Sequence, residues 1–171
     1  MVGEGFFIFR EMKKNIAWHE TAEIYSKAEM YEEAIACYDR AIKLNPLDDA
    51  AWFRKGYTYF LIDETFEELK CYNKALEINP KNIDALENKG ACLLRMNREQ
   101  EAVGCFEEAL KIEERNVCAL FNKGAILKKQ GKYWEALLSF DKGLELCPDD
   151  ADALRCVDSI MMRLIKPERL I

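Results

Sequence analysis

Residues 117–150 read VCALFNKGAILKKQGKYWEALLSFDKGLELCPDD, and the same skeleton returns at each step of 34 residues back along the chain. Gly124 falls on Gly90, Gly56 and Ala22, and Lys123 on Lys89 and Lys55. Leu120 falls on Leu86, Trp52 and Trp18, and Phe140 on Phe106, Tyr72 and Tyr38. Pro148 falls on Glu114, Pro80 and Pro46, and no gap is needed between Asn15 and Asp150. A fixed period of this length marks a stacked array, in which each unit carries an apolar face that only a neighbouring unit can cover. The chain therefore divides into an extension, 1–14, four windows, 15–48, 49–82, 83–116 and 117–150, and a last segment, 151–171.

Each window predicts two helices. In the first, Trp18, Ala22 and Tyr25 recur at steps of four and three, the spacing of one helix face. After a short break, Ala34, Tyr38, Ala41 and Ile42 mark the inner face of the second, and Asn45-Pro46 stops it, because proline disfavours the helical region for the residue before it. Small residues let the two axes approach while large rings fill the gaps beside them. The expectation is nine helices, with turns inside the pairs near Glu29, Asp63, Asn97 and Gly131 and junctions at Pro46, Pro80, Glu114 and Pro148. The second window departs from the pattern, with Thr65 for Tyr and Glu68 for Ala, and predicts an irregular start to its second helix. Residues 151–165 begin the pattern again and end before Pro167, which reads as a capping helix. In the extension, Gly3 and Gly5 predict a flexible start. The apolar block Phe6-Phe7-Ile8-Phe9 either extends the first helix backwards, caps the first window or docks elsewhere.

A helix–turn–helix unit of this length resembles the tetratricopeptide repeat. The resemblance is carried by Trp18/Trp52/Leu86/Leu120, Ala22/Gly56/Gly90/Gly124, Tyr25/Tyr59/Leu93/Leu127, Ala34/Ala102/Ala136, Tyr38/Tyr72/Phe106/Phe140, Ala41/Ala75/Ala109/Gly143 and Pro46/Pro80/Pro148, and it covers nearly the whole chain. It implies an all-α fold, a right-handed superhelical solenoid of antiparallel helix pairs whose first helices line a concave groove. It also implies a non-catalytic scaffold that binds a protein or peptide.

The remaining features narrow the class. Half of the 171 residues are hydrophobic, a third are charged and the net charge is −6, which describes a globular chain and argues against nucleic acid as a partner. No apolar run approaches the ~20 residues that span a bilayer, and no basic residue precedes the short block at 6–9, so the reading is no membrane and a cytoplasmic location. The seven cysteines contain no CxxC pair; Cys37, Cys71 and Cys105 share one column and are expected as buried, reduced thiols. His19 is the single histidine, and no phosphate loop, GxSxG or HExxH is present. The expectation is no enzyme, no cofactor and no metal.

The candidate site is the groove wall. The resemblance assigns Phe53, Arg54, Tyr57 and Phe60 of the second window to it, with Asn88, Phe121 and Asn122 from the next two. Phe53, Tyr57 and Phe60 share one helix face by spacing, while Trp52, Gly56 and Tyr59 already serve the packing face. A helix apolar all round is either buried on both sides or holds a partner on its second side, and both alternatives stand. Asn88 and Asn122 resemble the asparagine ladder with which some relatives hold extended peptides, although Glu20 and Arg54 break it at its start, and local hydrogen bonding is the alternative. Chaperone-binding relatives grip two carboxylates from this wall. The matching sets here, His19, Glu23, Arg54, Asp84 and Asn88, then Phe53, Tyr57, Asn88, Cys118 and Asn122, lack the cations for it, so no chaperone tail ending in Glu-Glu-Val-Asp (EEVD) is expected. The alternative function is a self-associating module, a homo-oligomer joined through the block at 6–9 and the apolar last helix.

Overall fold

The computed structural model describes the backbone of residues 2–165 and the side chains of residues 12–165. Every element among the described residues is helical: α1 (Val2–Lys27), α2 (Tyr31–Leu44), α3 (Asp49–Leu61), α4 (Thr65–Ile78), α5 (Ile83–Arg95), α6 (Glu99–Ile112), α7 (Val117–Lys129), α8 (Tyr133–Leu144) and α9 (Ala151–Ile165). The chain forms two compact units, Met1–Cys92 and Leu93–Ile171. In the first, α1 packs on α2, α2 on α3 and α3 on α4; in the second, α6 packs on α7, α7 on α8, and α9 on both α7 and α8.

The turns repeat as closely as the helices. Glu29, Asp63, Asn97 and Gly131 each take a left-handed conformation, with φ of 59°, 60°, 57° and 75°. One residue later, the N–H of Met30, Glu64, Arg98 and Lys132 reaches back to the carbonyl of Tyr25, Tyr59, Leu93 and Leu127 at 2.8–2.9 Å. This is the Schellman closure, which satisfies carbonyls that the helix end would otherwise orphan. At the other ends stands a second series, also 34 apart. The side chains of Asp48, Asn82, Asn116 and Asp150 accept from the backbone N–H of Ala51, Ala85, Ala119 and Ala153 at 2.7–2.9 Å. Each such N-cap contributes about 1 kcal/mol.

The expected irregularity at Thr65 does not occur. α4 starts in the same register as α2, α6 and α8, because the left-handed residue at Asp63 and the closure at Glu64 set the start regardless of the residue that follows. Glu68, in a column otherwise made of alanine, is accommodated in the interior, 1% exposed. The flexible start is also corrected: α1 runs back through Gly5 and Gly3 to Val2, so the extension continues the first helix. The side chains of the 6–9 block lie outside the described residues.

Packing explains the small columns. A Cβ built on Gly56 would lie 2.8 Å from Cε1 of Tyr72, and one on Gly124 would lie 3.1 Å from the ring of Phe140. The second helix of the pair lies so close that its buried ring occupies the side-chain space of the first. Tyr72, Phe106 and Phe140 are fully or almost fully buried, each worth about 1.5–3 kcal/mol. α9 keeps the Ala153 and Ile160 columns buried against α7 and α8. Where the earlier first helices carry Ala22, Gly56, Gly90 and Gly124, however, α9 carries Asp158, which is exposed. A carboxylate at that position opposes close docking of another helix.

The lysine column also has a structural role. Lys55 Nζ lies 2.6 Å from Asp39 of α2, and Lys123 Nζ lies 2.8 Å from Glu107 of α6, so a first helix ties back to the second helix before it. Burial works to lower the Lys55 ammonium's pKa, but the hydrogen bond and charge of Asp39 outweigh it and raise it.

Candidate peptide-binding wall

In the first unit, α3 presents its open side next to α1. Tyr57 and Phe60 are 44% and 41% exposed, and their rings lie 5.8 Å apart, centre to centre. Beside them is a cleft of about 180 Å³, lined by Glu23, Ser26, Lys27, Tyr38, Arg54, Tyr57 and Thr58. Arg54 closes one side through an ion pair with Glu23 at 2.9 Å, with both side chains part-exposed. Burial pushes the Tyr38 hydroxyl's pKa up, and the charge and hydrogen bond of Arg54 partly offset this. The cleft thus joins an exposed aromatic pair to a polar lining in which Arg54 and Glu23 neutralise each other and Lys27 is a further cation.

Phe53 has another orientation. It is half-buried, and its ring centre lies 5.9 Å from that of Tyr72 on α4. In the second unit Phe121 does the same with Phe140 of α8, at 6.2 Å. His19 repeats the arrangement in the first pair, 6.0 Å from Tyr38. These three residues stand in one column of the 34-residue period, whose third place is Glu87, and each of the three turns its ring onto the partner helix. Within the first unit, then, Tyr57, Phe60 and Arg54 share the open side of α3, whereas Phe53 serves mainly the pair.

Asn88 and Asn122 bond locally. Asn88 Nδ2 donates to the carbonyl of Asp84 at 2.8 Å, and Asn122 Nδ2 to that of Cys118 at 2.9 Å, each one helical turn back. Both are part-exposed; Asn88 has one more N–H and its Oδ1 acceptor with which to hold a peptide backbone, whereas Asn122 Nδ2 also donates to Cys118 Sγ at 3.4 Å and offers chiefly its Oδ1 acceptor.

Three features escape the apolar skeleton of the sequence. His19 Nε2 lies 2.9 Å from Oδ2 of Asp48, the cap of α3, and so ties α1 to the next pair. Asn79 and Asn82 both donate to Asp49 Oδ2, at 2.8 and 3.1 Å. Arg40 stacks over Trp18 at 4.4 Å. Asn79 and Asn82 belong to polar positions that repeat near helix ends, whereas His19 and Arg40 lie within α1 and α2 and carry no such signal. Trp134 and Phe66, at the starts of α8 and α4, are 73% and 78% exposed. Among the described residues no cluster of three or more metal-ligating groups occurs, and no helix is long and apolar enough to cross a membrane.

Comparison with known proteins agrees with this architecture. Three family models, each described as tetratricopeptide repeat, match residues 16–47 and 117–150, 49–82, and 71–104. A curated relative, TPR repeat protein oca3 of Schizosaccharomyces pombe, is 39% identical over 46 residues, 27% of this chain and 16% of that protein. The chain therefore matches only a small part of that relative's length. Among solved structures, MamA protein superposes with a TM-score of 0.81 at 15% identity, covering 88% of this chain and 82% of that one. YrrB, described as a TPR protein with an unusual peptide-binding site, gives 0.79 at 25% identity over 95% and 84%. The repeated helix pairs, their turns and these matches together place the chain in the tetratricopeptide repeat family.

Proposed function

We propose that this chain is a non-catalytic adaptor that holds a peptide segment against the open side of α3. Membership of the tetratricopeptide repeat family supports a protein-interaction role in general. The observation that carries the finer reading is the exposed Tyr57–Phe60 pair beside the cleft floored by Tyr38 and Arg54. Aromatic rings give contact area at low entropic cost and dominate the energy of many interfaces. In this reading an apolar side chain of the peptide packs on Tyr57 and Phe60, Arg54 and Glu23 meet its backbone, and Asn88 holds the next residue. Phe121 and Asn122 offer the same residue types on the second unit. A chaperone tail ending in Glu-Glu-Val-Asp is not the expected ligand, because Arg54, the one firm cation of its matching set, is already paired with Glu23.

The test is panning of a random dodecapeptide library against the wild-type chain, followed by titration of the recovered peptide against Tyr57→Ala with Phe60→Ala. Both residues are exposed, so helicity should persist while affinity falls by about 2 kcal/mol or more. Equal affinity at equal helicity would remove this face from the reading.

A second reading, self-association, draws support from the exposed apolar residues of α8 and α9: Trp134, Leu138, Leu154, Met161, Met162 and Ile165. Light scattering across a concentration series decides it. A constant monomer mass rejects it.

A further inference from the structure

In the second unit, α8 and α9 pack together, and a recess of about 330 Å³ opens beside them. It is lined by Trp134, Leu137, Leu138, Asp141 and Leu144 of α8 and Val157 of α9. That volume falls within the range of ligand-sized clefts. Leu137, Leu144 and Val157 pack on the core and floor the recess, whereas Trp134 and Leu138 stand exposed at its edge. On α9, Leu154, Val157, Met161 and Ile165 follow at steps of three, four and four, so one apolar stripe continues the recess along that helix.

Part of this face follows from the end of any array. Leu154 and Met161 stand in the columns of Leu120 and Leu127, which are each 5% exposed on α7, where α8 packs. On α9, the last helix among the described residues, the same columns are 43% and 41% exposed. Trp134 and Leu138 have no such cause. Their columns hold Glu32, Phe66 and Gln100, and Ala36, Lys70 and Gly104, so no other window sets two large apolar residues one turn apart here. Nor does the face invite a tenth helix in the register of the array, because exposed Asp158 stands in the column of close approach. An occupant therefore docks across α8 and the near edge of α9.

We propose that this face binds a second copy of the chain with two-fold symmetry, Trp134 of each copy seating in the recess of the other. The proposal rests on the self-association reading and gives it one surface and one geometry. Three observations select a second copy. The projecting ring and the recess lie on the same face, and a two-fold contact needs a surface complementary to itself. The area is also sufficient. At about 250 Å² for a whole Trp and about 120 Å² for a whole aliphatic side chain, Trp134, Leu138, Leu154, Met161 and Ile165 leave roughly 400–450 Å² bare. A standard interface covers about 800 Å² per partner, of which ~450 Å² is apolar. Finally, two copies at −6 repel each other, so the face that joins them has to be nearly uncharged, and Asp141 is the one charged residue in the recess.

The experiment uses the full chain. Sedimentation equilibrium across a concentration series should show a monomer–dimer equilibrium in the wild type. Trp134→Gln with Leu138→Lys should raise the dimer Kd about thirtyfold or more, since a central tryptophan dominates such contacts. The chain itself carries Gln100 and Lys70 in these columns, so the fold tolerates both residues; circular dichroism checks it, and should the double variant unfold, Trp134→Gln alone gives the comparison. Tyr57→Ala with Phe60→Ala should leave the Kd unchanged, which separates this face from the wall on α3. A benzophenone photo-crosslinker in place of Leu138 reads the geometry: the two-fold contact should join α8 of one copy to α8 or α9 of the other. A monomer at every concentration overturns both the proposal and the self-association reading. Dimers that the Trp134 and Leu138 variants leave intact overturn the proposal and leave self-association standing through another surface. A crosslink to any other helix of the second copy means a head-to-tail contact, and one to residues 166–171 of the same chain means that the chain covers its own recess; either overturns the proposal.

Discussion

The ring of Phe121 occupies the space that a side chain on Gly143 would need: a Cβ built there would overlap Cε1 of Phe121. The equivalent residues Ala41, Ala75 and Ala109 all carry that methyl group. The fourth pair has thus exchanged a methyl for a phenyl ring drawn down between α7 and α8.

A prediction follows for Gly143→Ala. On helix propensity alone the change should stabilise by about 1 kcal/mol. The overlap with Phe121 should reverse the sign and give a net loss of about 1–2 kcal/mol. Combining it with Phe121→Leu should recover most of that loss, because the two positions share one space. Urea denaturation of the four proteins measures the cycle. Additivity within error would show that the ring moves aside without cost.

The left-handed turns predict the opposite effect of glycine. Glu29, Asp63 and Asn97 hold a conformation that costs a residue with a Cβ about 1 kcal/mol relative to glycine. Glu29→Gly should stabilise by about 0.5–1 kcal/mol, with smaller gains at Asp63 and Asn97, whose short polar side chains tolerate this region better. Gly131→Ala should lose about 1 kcal/mol, and no steric neighbour complicates it, since nothing lies within 4 Å of a Cβ built there. Thermal or urea melts that ranked Glu29→Gly below wild type would reject the assignment.

These cases show what the sequence makes legible. The period is legible because burial restricts residue type in the same columns of every pair, as at Ala34, Ala102 and Ala136. The turns follow from the period even where Glu29 and Asp63 give no glycine signal. The caps at Asp48, Asn82, Asn116 and Asp150 are equally periodic but polar, so a reading built on apolar columns passes over them. Ring direction is not legible. Phe53 and Tyr57 share a helix face by spacing, yet Phe53 turns toward Tyr72 while Tyr57 faces outward. Spacing sets where a Cβ points within a helix, whereas the rotamer depends on the space that a partner helix leaves.

The thiols should divide by burial. Cys37, Cys71 and Cys105 are buried, whereas Cys118 and Cys147 are exposed. Burial pushes the Cys71 thiol up to about 12, and it raises Cys37 as well, with Arg40 partly offsetting. The thiolate is the reactive form, so both accessibility and charge protect these residues. With iodoacetamide at about pH 8, Cys118 and Cys147 should be modified in the native protein, and Cys37, Cys71 and Cys105 only on unfolding. Peptide mapping reads the order. Native-state labelling of the buried column at the rate of Cys118 would contradict the packing described.

The last prediction concerns acid. Burial works to raise the Asp48 carboxyl's pKa, but hydrogen bonds from His19 and the Ala51 N–H, the His19 charge and a bond from Asn15 outweigh it and hold it below the usual value. A carboxyl whose folded pKa is depressed binds fewer protons folded than unfolded. Its contribution is therefore fully present above its unfolded value, about 3.9, and is lost as pH falls through the lower folded value. Asp48→Asn keeps a capping oxygen but removes the charge that His19 meets. The variant should be less stable than wild type at neutral pH. The gap should hold down to about pH 4 and close below it, as protonation turns the wild-type residue into a neutral group as well. Urea melts of both proteins from neutral to strongly acidic pH test this, with Asp152→Asn, an exposed carboxylate, as the control. A gap independent of pH would mean that the loss comes from cap geometry, and the charge of Asp48 would then have no part in joining α1 to α3.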